Sequence, residues 1–135
     1  VAGAIFRGAV VTLGALLGLR AAAFSAEDGH PRAHYTYIAS DIRKPDWATR
    51  PNGQEIARLY PDETDAPVEG AAAMRCKVFP NGVLQACTLL DERPAGFGFG
   101  RATLLLARYF TLKTVQRDGR PILGRTVVVP IQFRY

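Results

Sequence analysis

Two cysteines, Cys76 and Cys87, flank a turn signal in "CKVFPNGVLQAC" and are the only thiols of the chain. Paired thiols serve as a structural disulfide, a redox couple or part of a metal site. Here the spacing is not CxxC and no histidine lies near in sequence, so the redox and metal readings lack their partners. In "FPNGV", Pro80 pre-sets φ for a type I turn and Gly82 takes the left-handed position after Asn81. That predicts a three-residue loop with a glycine bulge, pairing Phe79 with Val83 and Val78 with Leu84. Regular counting would then set Cys76 opposite Ala86 and turn Cys87 to the wrong face. One further bulge near Gln85-Ala86 restores Cys76 opposite Cys87. A two-residue turn at Asn81-Gly82 reaches the same pairing, but leaves Pro80 without the N–H that the ladder needs. Directly opposed strand residues lie about 4.5–5.5 Å apart, within disulfide reach. The expected bond staples one hairpin.

Other chemistry-bearing residues are less convergent. "GFGFGRA" at 96–102 has the look of a dinucleotide-binding glycine loop, with Asp118 at the customary offset. Asp118 falls in a turn, however, and too few residues follow for a doubly wound sheet. The glycines are expected to form a tight lead-in to a helix. His30 and His34 in "HPRAH" have a spacing seen in metal sites, yet no third ligand is near, so no metal is expected. Asp91 and Glu92 are neighbours on an expected strand and would face opposite ways, which excludes a paired acid and base. No serine has a nucleophile's surroundings. No active site is found, and neither catalysis nor a cofactor is expected.

The bulk composition agrees. At 135 residues, 48% hydrophobic and 21% charged, the chain is sized for one globular domain. Seventeen Lys and Arg against twelve Asp and Glu leave a net charge of +5. These cations are scattered, with no basic stripe interleaved with aromatics, so no nucleic-acid partner is expected. "VAGAIFRGAVVTLGALLGLRAAAF" carries Arg7, an apolar run and then small residues. Residues 1–23 therefore read as a signal peptide, or as a short membrane anchor with Arg7 and Arg20 at opposite interfaces. Either way export is implied, into an oxidising compartment that suits the disulfide.

The elements that must position these residues follow from pattern. Residues 24–50 are polar and contain prolines; they are expected to form an extended N-terminal arm, with a short strand conceivable where Tyr35, Tyr37 and Ala39 alternate. "RPNGQEIARLYP" reads as a short helix with Asn52 as cap, Glu55 at N3, and Ile56, Leu59 and Tyr60 on one face. "GAAAMRCKVF" alternates as a strand with one buried face, and "VLQACTLLDE" is its hairpin partner. "PAGFGFGRATLLLARYF" leads into a helix expected to bury Ala102, Leu105, Leu106 and Tyr109, with Phe99 and Phe110 near its edges. "RTVVVPIQFRY" closes as a strand with Val127, Val129, Ile131 and Phe133 on one side. The fold class is α+β, a three-stranded antiparallel sheet with two helices on one face.

Several of these residues, in this order, resemble a known family. "YP" at 60–61, "EG" at 69–70 opening a strand, "PNG" at 80–82, "ERPAG" at 92–96 and a final "VVVPIQF" are similar to the C-terminal domain of TonB, the periplasmic energy transducer. The likeness covers Pro45–Tyr135, so residues 51–135 are expected to be a TonB-C-like domain. It implies the same two-helix, three-stranded fold. It also implies that an extended segment, the TonB box of an outer-membrane transporter, adds as a strand beside the last strand of the domain. The implied partner-binding residues are Tyr60, Pro61, Val127, Val128, Val129, Pro130, Ile131, Gln132 and Phe133. Partners are then a TonB-dependent receptor or another envelope protein, with a homodimer through edge strands also compatible. The family's Pro-rich rod and motor-contacting helix histidine have no counterpart here. The expectation is a free or briefly tethered binding module in support of transmembrane transport. The alternative is a structural or assembly protein of the envelope that uses the same fold without TonB-box binding. Pro130 cuts both ways: it blunts an exposed edge against aggregation, with Arg125 and Arg134, or it marks an edge kept free for a partner.

Overall fold

The computed structural model describes residues 29–61 and 69–134; the leader or anchor expected at 1–23 lies outside them. Among the described residues no helix is long and apolar enough to cross a membrane. The chain runs through β1 (Trp47–Thr49), α1 (Gly53–Arg58), β2 (Gly70–Val78), β3 (Leu84–Arg93), α2 (Phe99–Leu106), a 3-10 turn (Ala107–Tyr109), β4 (Thr111–Leu112) and β5 (Thr126–Phe133). The main sheet has three antiparallel strands in the order β3-β2-β5. A second sheet, not foreseen from pattern, pairs the very short β1 and β4. Among the described residues the architecture is α+β, with two helices and two antiparallel sheets.

Helix α1 starts as its sequence requires. The Asn52 side chain accepts from the Glu55 N–H, and the Glu55 carboxylate accepts from the Asn52 N–H, each at 2.8 Å. Ile56, Leu59 and Tyr60 pack against the core. In α2 the buried residues are Phe99, Gly100, Ala102, Thr103 and Leu106, while Leu105 is exposed. The expected face was thus wrong at Leu105. In the run "TLLLA" three leucines compete for one face, and the 3.6-residue period counted from Phe99 selects Leu106. The N-terminal N–H of Gly100 is taken by the Glu92 carboxylate at 2.9 Å, so Glu92 caps α2 across the β3–α2 turn.

The core fills the space between the helices and the Met74–Cys76–Val78 face of the sheet. Phe99 and Phe133 lie 5.2 Å apart between ring centres, and Tyr60 meets both edge-on. Gly70 makes this packing possible, because a Cβ there would fall 2.2 Å from Cε2 of Phe99. Gly70→Ala is therefore expected to cost about 1–3 kcal/mol by overpacking, read as a lower urea midpoint with unchanged m value.

The hairpin has the three-residue loop. Gly82 N–H donates to the Phe79 carbonyl, Phe79 N–H donates to Val83, and Gly82 has φ +87°. Val78 faces Leu84 and Lys77 faces Gln85, after which the register shifts so that Arg75 faces Thr88. The extra residue is Ala86, with φ +53°, and the disulfide Cys76–Cys87 forms beside it across a Cα separation of 4.0 Å. A second shift between Ala73 and Met74, near Leu90, has no signal in the sequence. Reducing the disulfide is expected to lower stability by about 3 kcal/mol, by the chain-entropy argument. Denaturation of oxidised and reduced protein in parallel measures it.

The expectation of a strand with one buried face is corrected on β2. Ala71 and Ala73 are as buried as Met74, because the arm crosses the sheet's second face. Gln132 Nε2 donates to the Pro31 carbonyl, His34 N–H donates to Asp91, and Arg75 donates to the Thr36 carbonyl. No strand forms at Tyr35–Ala39; the segment is irregular and bound through polar contacts. Small side chains at 71 and 73 let its backbone approach closely.

Arg125, expected at an exposed edge, is buried instead, and pairs with Asp118 at 3.1 Å.

Candidate functional site

The ladder between β2 and β5 decides which backbone groups of β5 remain open. Val78 N–H donates to the Arg125 carbonyl, and antiparallel alternation from that pair directs the groups of Val127, Val129, Ile131 and Phe133 toward β2. Thr126, Val128, Pro130 and Gln132 therefore present theirs to the outer edge. Pro130 sits where its missing N–H removes nothing from the β2 ladder, as a strand proline must.

Thr126 confirms the alternation, because its outward groups are used by the arm. Thr126 N–H donates to Ser40 at 3.0 Å, and its carbonyl accepts from Ile42 N–H at 2.8 Å. Beyond it the edge has no backbone partner among the described residues. The open groups are N–H and C=O of Val128, C=O of Pro130, and N–H and C=O of Gln132.

This stretch lies in a groove of about 540 Å³. Tyr35, Tyr37 and Arg43 form one wall, on the arm's side of the sheet. Arg43 stacks its guanidinium over the Tyr37 ring at 4.4 Å. Trp47, Ile56 and Phe110 form the other wall, with the Trp47 and Phe110 rings 4.9 Å apart. A strand laid on the edge would send alternate side chains to one wall and the other.

The arm is held in place by a buried carboxylate. Asp41, 4% exposed, accepts two bonds from Arg75, at 3.0 Å from Nε and 2.8 Å from Nη2. It also accepts from the Thr126 hydroxyl at 2.6 Å and from Ile38 N–H at 2.9 Å. Burial alone would raise its pKa, but the bonds from Arg75, Thr126 and Ile38 outweigh it and hold the carboxyl at about 2. A second clasp fixes the start of β1. Asp46 accepts from Arg117 through both its N–H and guanidinium, which holds its carboxyl below the ordinary range. Buried Gln116 accepts from Asp46 N–H and donates to the carbonyls of Asp46 and Lys113.

The residues named from sequence divide accordingly. Val128, Pro130 and Gln132 turn their backbone groups away from β2; Pro130 and Gln132 are exposed, whereas Val128 is buried like Val127, Val129, Ile131 and Phe133. Tyr60 packs on Phe99 and Phe133, and neither it nor Pro61 lines the groove. The wall residues were not foreseen as a set; the "YTYI" alternation was their only signal. Among the described residues no cluster of His, Cys, Asp and Glu could hold a metal.

No family model matches the chain. It is 32% identical over 88 residues to a protein of Caulobacter vibrioides described as uncharacterized, across 65% of this chain and 87% of that one. The chain belongs to the family of that protein.

Proposed function

We propose that this protein is a strand-accepting binding module of the periplasm, which takes TonB-box-like segments of outer-membrane transporters on the free edge of β5. The observation that carries this reading is the unpaired outward backbone of Val128, Pro130 and Gln132 at the floor of a groove with aromatic walls. Strand addition needs such groups in register, and flanking pockets for alternate side chains. The likeness to TonB C-terminal domains at "YP", "PNG", "ERPAG" and "VVVPIQF" supports the choice of ligand. The Cys76–Cys87 disulfide supports an oxidising compartment. No catalytic step is part of the proposal.

One observation favours the alternative of an envelope structural protein with no peptide ligand. Ser40–Ile42 already occupy the first residue of the edge, and Pro130 interrupts the next bonds, both of which blunt an edge against pairing. Titration of the protein with TonB-box peptides separates the two. Saturable binding with amide shifts confined to Val128–Gln132 and the groove walls supports the module. Absence of binding to every box peptide assigns the blunted edge.

A further inference from the structure

We propose that the cleft between the arm and the loop leading into β5 is a binding site for a phosphate group, separate from the open strand edge. The cleft has a volume of about 380 Å³ and is lined by Arg43, Lys44, Arg117, Arg120 and Arg125, with Asp41 and Asp118. Both carboxylates are already engaged. Asp41 is held by Arg75, Thr126 and Ile38. Asp118 accepts from Arg120 N–H at 2.9 Å and from Arg125 Nη2 at 3.1 Å. Those two groups also hold the Asp118 carboxyl below its ordinary range.

The donors outnumber these acceptors. Arg125 is 8% exposed, and its Nη1 is buried with no partner. An unmet donor on a buried cation is costly; this one is shielded from the cleft, so Arg125 adds charge to the site rather than a direct donor. Among the described residues Lys44 has no ion-pair or side-chain hydrogen-bond partner, the Arg120 guanidinium has no hydrogen-bond partner, and Arg43 stacks on the Tyr37 ring. A phosphate group fits this surplus better than a single carboxylate, because guanidinium forks and a lysine point charge match several phosphate oxygens at once. The group could belong to a soluble phosphomonoester or to a phospholipid headgroup, and the chemistry is the same.

The test titrates the full chain with inorganic phosphate at constant ionic strength, followed by arginine Nε–H and backbone amide spectra. Saturation in the millimolar range, with shifts at Arg117, Arg120 and Arg125, is the expected result. The double variant Lys44→Gln/Arg120→Gln, which changes only exposed side chains, should keep its melting temperature in phosphate-free buffer and bind about tenfold or more weakly. A second arm measures co-sedimentation with phosphatidylglycerol vesicles against phosphatidylcholine. Retention on the anionic vesicles that the double variant loses assigns a lipid headgroup; phosphate saturation without retention assigns a soluble ligand. Phosphate shifts that never saturate, or that are the same in the variant, overturn the site. None of these readings depends on peptide binding at β5.

Discussion

Asp41→Ala should destabilise the protein by about 3 kcal/mol and release the arm from the sheet. The magnitude is that of removing one partner from a buried, bidentate ion pair, which leaves Arg75 uncompensated against the sheet. The Thr126 hydroxyl and the Ile38 N–H lose their acceptor at the same time. Exchange of the Thr126 and Ile42 amides, which bond across the arm–β5 junction, should accelerate more than exchange within the β2–β3 ladder. The wild-type carboxyl titrates at about 2 in the folded state and at about 3.9 when unfolded. Its contribution is therefore complete above about pH 4 and disappears as pH falls through 2, a difference on the order of 2 kcal/mol. Asp46, Asp91 and Asp118 are also held low, so raw acid titration will not isolate Asp41. Wild type minus Asp41→Asn does: the difference should shrink across that window. A difference that stays constant from pH 5 to pH 2 would show that the carboxylate's charge contributes nothing.

The arm also shows where sequence reading reaches its limit. The hairpin was legible because its signals are local. Pro80, Asn81 and Gly82 specify the loop, and setting Cys76 opposite Cys87 demands an extra residue, found at Ala86. The β5 strand was legible because Val127, Val129, Ile131 and Phe133 alternate without interruption, and Pro130 allows only one side to face β2. The arm offers no periodic apolar face. It is bound by single polar contacts to residues far along the chain, such as Arg75 and Thr126 to Asp41, and by close approach to Ala71 and Ala73. Alanines fit either side of a sheet, so their burial carries no signature. Strands β1 and β4 are too short for alternation to register. The groove inherits this split: its floor was readable, and its walls, which come from the arm and β1, were not.

Two substitutions on the open edge should move peptide affinity in opposite directions. Val128→Pro removes an outward N–H that the protein itself does not use, since Val128 faces Arg75 in a pair without ladder bonds. An arriving strand would lose one bond and meet the ring's Cδ, so affinity should fall tenfold or more. Pro130→Val adds an outward N–H at the one gap in the series Val128, Pro130, Gln132. A neutral hydrogen bond contributes about 0.5–1.5 kcal/mol, so affinity should rise roughly two- to tenfold. Both positions leave the β2 ladder intact, but Val128 is buried, so folding stability is measured beside each titration and affinity is compared only where the variant is folded. The gain of function has a side effect that sharpens the test. If Pro130 also guards against edge pairing, Pro130→Val should dimerise at high concentration, and box peptide should dissolve that dimer by competing for the same groups. A peptide whose affinity ignores both substitutions binds somewhere other than this edge, and the strand-accepting reading then fails even though the groove exists.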